Sequence, residues 1–65
     1  MTCALASKVV TYMSYDNQTL IITFPNYVKR YQGVPQAVGY GLCYSPNPLG
    51  YFNTNIKNQF KSVII

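Results

Sequence analysis

Leu20-Ile21-Ile22-Thr23-Phe24-Pro25-Asn26-Tyr27-Val28-Lys29-Arg30-Tyr31 carries the strongest structural signal of this 65-residue chain. Leu20, Ile22 and Phe24 fall on one side of an extended segment and Thr19, Ile21 and Thr23 on the other, the period of a half-buried strand whose L-x-I-x-F side belongs to a core. Pro25-Asn26 then breaks the pattern. Pro presets φ and Asn tolerates the left-handed region, which suits a hairpin connection. A further strand follows from Tyr27 to Tyr31, with Tyr27, Lys29 and Tyr31 on one side and Val28 and Arg30 on the other. Working towards the N-terminus, Val9 to Tyr15 is rich in β-branched and aromatic residues and reads as a strand. Asp16-Asn17 closes the turn between it and Leu20. These segments predict a three-stranded antiparallel meander.

The second half of the chain changes period. Gly33 ends the third strand, and Val34-Pro35-Gln36 opens a helix with Pro at its first position. Val34, Val38 and Leu42 recur every four residues. Gly39 and Gly41 weaken that helix by about 1 kcal/mol each relative to Ala, so packing must hold it, and the glycines permit close approach of a neighbouring element. Ser45-Pro46-Asn47-Pro48 is a rigid loop. From about Leu49 to Lys61, Phe52, Ile56 and Phe60 mark a second helix, with Lys57 and Lys61 one turn apart on an adjoining stripe. Val63-Ile64-Ile65 reads as a short edge strand or a tail. The expected fold is a single α+β domain: a three-stranded antiparallel meander and two short helices (β-β-β-α-α), with the C-terminal residues as a short edge strand or a tail.

A chain of this length buries only about 60% of the surface its unfolded form exposes, so its core is marginal and self-association is an open option. Cys3 and Cys43 form no CxxC pair, which suggests neither a zinc site nor a disulfide framework and points to a reducing, cytoplasmic compartment. The first residues lack the basic and apolar regions of a signal peptide, and no run reaches the roughly 18 apolar residues of a membrane span.

The residues set firm limits on chemistry. With no His, no Glu and one Asp, the chain lacks side chains that transfer protons near neutral pH. Asp16 falls in a turn, the usual setting of a structural Asp. Cys43 has no imidazole to activate it. No metal, no cofactor and no enzymatic activity are expected. Binding is better supplied, by a net charge of +4 from Lys8, Lys29, Arg30, Lys57 and Lys61 and by seven tyrosines. Tyrosine rings stack on nucleobases at about 1 to 3 kcal/mol per base, and cations attract phosphate. Tyr12, Tyr15 and Tyr51 read as core tyrosines with hydroxyls at its rim, whereas Tyr27 and Tyr31 suit either core or ligand. Asn53 suits either a ligand amide or a helix cap.

The order of these elements is similar to a known family. Ser7 to Asp16 follows S-x-V-V-x-x-M-S-Y-D, and L-x-I-x-F comes next. Gly33-Val34-Pro35 then precedes Tyr51-Phe52-Asn53 with Ile56-Lys57. Together they resemble the KTSC domain, named from the C-terminal part of some lysyl-tRNA synthetases and found alone in small bacterial and phage proteins. The resemblance implies a β-β-β-α-α domain with a suggested RNA-binding role and no known enzymatic activity. It departs from the family's central Y-x-Y, which here reads Lys29-Arg30-Tyr31.

The leading expectation is therefore a binding module for RNA or a nucleotide acting through Tyr27, Lys29, Arg30, Tyr31, Asn53, Lys57 and Lys61. The alternative is a small interaction protein that binds a protein partner through Tyr40, Tyr44 and Val63 to Ile65. A homo-oligomer whose tail completes a neighbour's sheet is a third.

Overall fold

The computed structural model describes residues Met1–Ile65. Its elements are β1 (Thr2–Ala4), β2 (Tyr12–Asp16), β3 (Thr19–Thr23), β4 (Val28–Gln32), α1 (Gln36–Tyr44), α2 (Pro48–Asn55) and β5 (Ser62–Ile64). The five strands form one antiparallel sheet in chain order. The predicted meander is its centre, β2 to β4; β5 is the C-terminal edge strand that the sequence offered, and β1 is added at the other edge.

The hairpin registers follow from the side-chain pattern. Met13 pairs with Ile22, Tyr15 with Leu20, and Leu20 with Tyr31. These five side chains therefore share one face, where all are buried. The β2–β3 turn lies one residue later than expected. Asp16 pairs with Thr19, so Asn17 and Gln18 form the two-residue loop, at φ 48° and 63°. Positive φ at both loop residues matches the right-handed twist of the strands. The Val34 amide donates to the Gln18 carbonyl at 2.9 Å and ties the loop to the start of the helical segment.

β2 begins at Tyr12 rather than Val9. Upstream, the Ser7 hydroxyl accepts from the amides of Val9 (3.1 Å) and Val10 (3.2 Å), turning the chain. The turn lets the preceding residues fold back as β1, which a propensity reading of three residues does not reveal. Tyr12 is correspondingly not a core residue; it lies on the outer side of the sheet, 42% exposed.

Both helices cover the inner face. Leu42 of α1 and Phe52 of α2 join Val10, Met13, Tyr15, Leu20, Ile22, Tyr31 and Ile56 in a single buried cluster. Each fully buried aliphatic side chain of such a cluster contributes about 1.5 to 3 kcal/mol. The buried Tyr15 hydroxyl donates to the Val34 carbonyl at 2.6 Å, and Tyr51 donates to Val38 at 3.1 Å. Gly39 and Gly41 allow the close approach foreseen for them, Gly39 against the Tyr15 ring and Gly41 against Tyr51.

Helix limits differ from the sequence reading at three places. Pro35 is the N-cap of α1, with ψ 151°, and not its first turn, so Val34 packs from extended backbone. Pro48 opens α2, where the Asn47 side chain accepts from the Gly50 amide at 3.2 Å. That helix ends at Asn55, six residues short of Lys61. Asn55 donates instead to the Tyr51 carbonyl, and the amides of Ile56 and Lys57 both reach the Phe52 carbonyl. Side chains that bond to nearby backbone compete with helix continuation. The predicted Lys57/Lys61 helical stripe is therefore not formed.

Val63-Ile64-Ile65 does pack on its own sheet: β5 pairs with β4, Arg30 opposite Val63 and Lys29 opposite Ile64. The Ile65 amide continues the ladder to Val28, and the Gln32 amide donates to Lys61.

Cys3 of β1 and Cys43 of α1 are joined by a disulfide, with Cα atoms 5.8 Å apart. This corrects the expectation of two unlinked thiols. Their separation of 40 residues carries no local motif. The pairing arises because α1 crosses the inner face beside β1, an element the sequence reading lacked.

Strand alternation also defines the outer face, which neither helix covers. Across it run three rows. One joins Ala4, Tyr12, Thr23, Val28 and Ile65; the next joins Thr2, Ser14, Ile21, Arg30 and Val63; the last joins Asp16, Thr19, Gln32 and Lys61.

Candidate functional site

The inward side of the L-x-I-x-F strand ends on Phe24, just past β3, where the inner face meets solvent. Phe24 is buried, and its amide donates to the Tyr27 carbonyl at 2.8 Å, closing the β3–β4 connection. That closure lays the Tyr27 ring on the Phe24 ring, with centroids 4.9 Å apart and planes 22° apart. Tyr27 remains 42% exposed. Phe52 of α2 meets Phe24 edge-on at 5.6 Å and Tyr31 at 6.0 Å, locking the other side of the platform.

Lys29, two residues along β4 on the same side as Tyr31, places its Nζ 5.6 Å from the Tyr27 ring centroid and 6.0 Å from that of Phe24. An ammonium at this range is attracted by the ring quadrupole, which orients it over the platform. From α2, Asn53 reaches the same place, and Lys57 joins it from just beyond the helix.

These side chains line one cleft of about 170 Å³: Phe24, Tyr27, Lys29, Phe52, Asn53 and Lys57. Val9 and Leu49 complete its apolar wall. The cleft holds two ammonium groups and no carboxylate. A low-dielectric wall beside charges of one sign focuses positive potential into the opening. It is smaller than the roughly 300 to 1,000 Å³ pockets that enclose drug-sized ligands, so it suits one planar ring with an attached anionic group.

Of the residues singled out in the sequence, Tyr27, Lys29, Asn53 and Lys57 thus come together, and Arg30, Tyr31 and Lys61 do not. Tyr31 is 1% exposed and offers no ring face to a ligand. Burial raises its hydroxyl pKa, with a hydrogen bond involving Ser62 acting in the opposite sense. Arg30 alternates to the outer face, and Lys61 precedes β5 beside Gln32. Asn53 does not cap α2; Asn47 has that task. The sequence assigns Phe24 to the core and Phe52 to the second helix, yet together they floor the cleft. Their only sequence signal is position: Phe24 is the last inward residue of its strand, where core becomes rim.

A second concavity of about 360 Å³ lies between the β2–β3 turn and α1, lined by Tyr15, Asp16, Asn17, Gln18, Gln36, Tyr40 and Met1. No lysine or arginine lines it; beside the Asp16 carboxylate stands the Met1 ammonium, which donates to the Tyr15 carbonyl at 2.8 Å. The exposed residues of the alternative surface are also dispersed. Tyr40 and Tyr44 sit on α1, which the disulfide ties to β1, while Val63 to Ile65 occupy the opposite edge of the sheet. No group of His, Cys, Asp and Glu forms a metal-binding cluster, and no helix is long and apolar enough to cross a membrane.

A search of curated proteins finds no match for the chain. The family model of the KTSC domain matches residues 6–60, which span β2 to α2 and every residue of the cleft. With most of its length under that match and the meander and paired helices in place, the chain belongs to the KTSC domain family.

Proposed function

We propose that the chain is a non-enzymatic binding module whose cleft takes the base and phosphate of a nucleotide, free or within single-stranded RNA. The observation that carries this reading is the meeting of Tyr27, Lys29, Asn53 and Lys57 in one cleft. The exposed face of Tyr27 is the stacking surface. Lys29 and Lys57 bond the phosphate, and the Asn53 amide meets a base edge, since an amide both donates and accepts. One stacked base at about 1 to 3 kcal/mol and two bonds to a charged group at about 1.5 to 3 kcal/mol each are offset by the entropy of association. The resulting affinity lies in the micromolar to millimolar range. Neither a metal nor a cofactor enters the proposal. Nor does the cytoplasmic setting, because a Cys3–Cys43 disulfide persists in oxidising compartments.

The test is an NMR titration with UMP, AMP and an oligouridylate across a salt series. Shifts should centre on Tyr27, Lys29, Asn53 and Lys57. Two phosphate contacts on a single strand give a slope of about −1.4 in log affinity against log salt, or roughly a sevenfold loss from 50 to 200 mM. Binding that is absent, or indifferent to salt, removes the proposal.

A further inference from the structure

The sheet's outer face is a second surface of distinct character. Tyr12, Val63 and Ile65 are 42%, 49% and 56% exposed there, around the half-buried Ile21 and Val28. The face also carries the chain's one acidic side chain, Asp16, in the same row as Lys61 and in the row next to Arg30. The Arg30 Nε is buried and has no hydrogen-bond partner. A polyanion is a poor match for this face, because Asp16 stands on it and the cleft lysines, Lys29 and Lys57, do not.

We infer that this face pairs with its own copy, making the protein a symmetric dimer through sheet-on-sheet packing. The register supplies the self-complementarity. A two-fold axis parallel to β3, set between two such faces, superposes β2 on the second copy's β4 and β1 on its β5. Each row then meets itself in reverse. Tyr12 comes over Val28 of the second copy, Ala4 over its Ile65, and Ile21 over Ile21. Asp16 comes over Gln32 of the second copy, beside its Lys61 and one row from its Arg30, so the lone acid meets cations twice per dimer. Aligned sheets stack about 10 Å apart, a separation these side chains fill from both sides. Elsewhere the chain's positive charge repels a second copy; on this face opposite charges meet.

Area limits the strength. The molecule measures 25 × 24 × 22 Å, so one sheet face offers roughly 500 Å² and two bury roughly 1,000 Å², near the low end of specific interfaces. The dimer is therefore weak, with a Kd of about 10 to 100 μM. The lysine-lined cleft, on the helix side, stays open in it.

Sedimentation equilibrium and NMR of the full chain over about 10 μM to about 1 mM test this inference. A monomer–dimer equilibrium is expected, with resonances of Tyr12, Ile21 and Val28 moving with protein concentration. Ile21→Arg should weaken association at least tenfold, as should Asp16→Arg. Adding Arg30→Asp to Asp16→Arg should restore association to within about threefold of the original, a rescue that a folding defect does not produce. A monomer throughout the range overturns the inference, as does association that ignores Ile21→Arg and both charge reversals. Outer-face resonances that respond to an oligonucleotide but not to protein concentration also overturn it, and assign the face to nucleic acid. Because the cleft lies on the other side, loss of nucleotide binding leaves this inference standing, and its own failure leaves the cleft untouched.

Discussion

Gly39 of α1 rests on the ring of Tyr15 from β2: a Cβ at position 39 would lie 2.6 Å from the ring's Cδ1. The Tyr15 hydroxyl is held by the Val34 carbonyl at 2.6 Å, so the ring cannot swing aside without losing a buried hydrogen bond. Gly39→Ala sets a helix-propensity gain of about 1 kcal/mol against an overlap cost of about 1 to 3 kcal/mol. Net destabilisation of up to about 2 kcal/mol is expected. Urea denaturation would expose a stabilising outcome, and with it a ring freer than this packing implies.

Opening the Cys3–Cys43 bond restores the freedom of a 40-residue loop to the unfolded chain. Loop-closure entropy for that length is worth about 4 kcal/mol, a large share of a small domain's stability. Thermal melts with and without reductant, and of Cys3→Ser with Cys43→Ser, should show a large fall in Tm. Coincident melts would mean that the bond constrains nothing.

Alkaline pH should destabilise the fold through Tyr31. Its folded pKa is raised by burial above the ordinary value of 10.0. The neutral hydroxyl is thus favoured in the folded state. The corresponding stability is complete below the unfolded pKa and is lost as pH rises from there through the folded value. Tyr31→Phe removes that group, so its stability should fall less steeply above pH 10. Parallel slopes for the two proteins in alkaline denaturation curves would contradict this.

Lys29→Ala and Lys57→Ala should each weaken nucleotide binding by about tenfold and make the salt slope shallower. Lys61→Ala, outside the cleft, should change the affinity less than twofold. Equal losses for all three, measured by titration, would indicate diffuse attraction instead of a defined site.

Much of the fold could be read locally. Leu20, Ile22 and Phe24 announce their inward side by period alone, Pro25-Asn26 announces the break, and Val38 and Leu42 sit where the helical spacing puts them. What escaped was settled by contacts distant in sequence. β1 is three residues long and exists because β2 offers it an edge, and Cys43 meets Cys3 only once β1 is there. The stop at Asn55 reflects side-chain competition for backbone that the Phe52, Ile56, Phe60 spacing conceals. Tyr31 shows the limit of parity: Tyr27, Lys29 and Tyr31 do share a side, but along one strand that side runs from solvent rim to the middle of the core.

Tension adds a last consequence of the sheet's order. β1 and β5 are its two rims, and the chain enters by one and leaves by the other. Pulled apart through those two strands, the molecule meets the load unevenly: a covalent bridge anchors the first rim to α1, while the other holds by a three-residue ladder. The C-terminal rim should therefore peel first, leaving the meander and the helices over it intact as a mechanical intermediate.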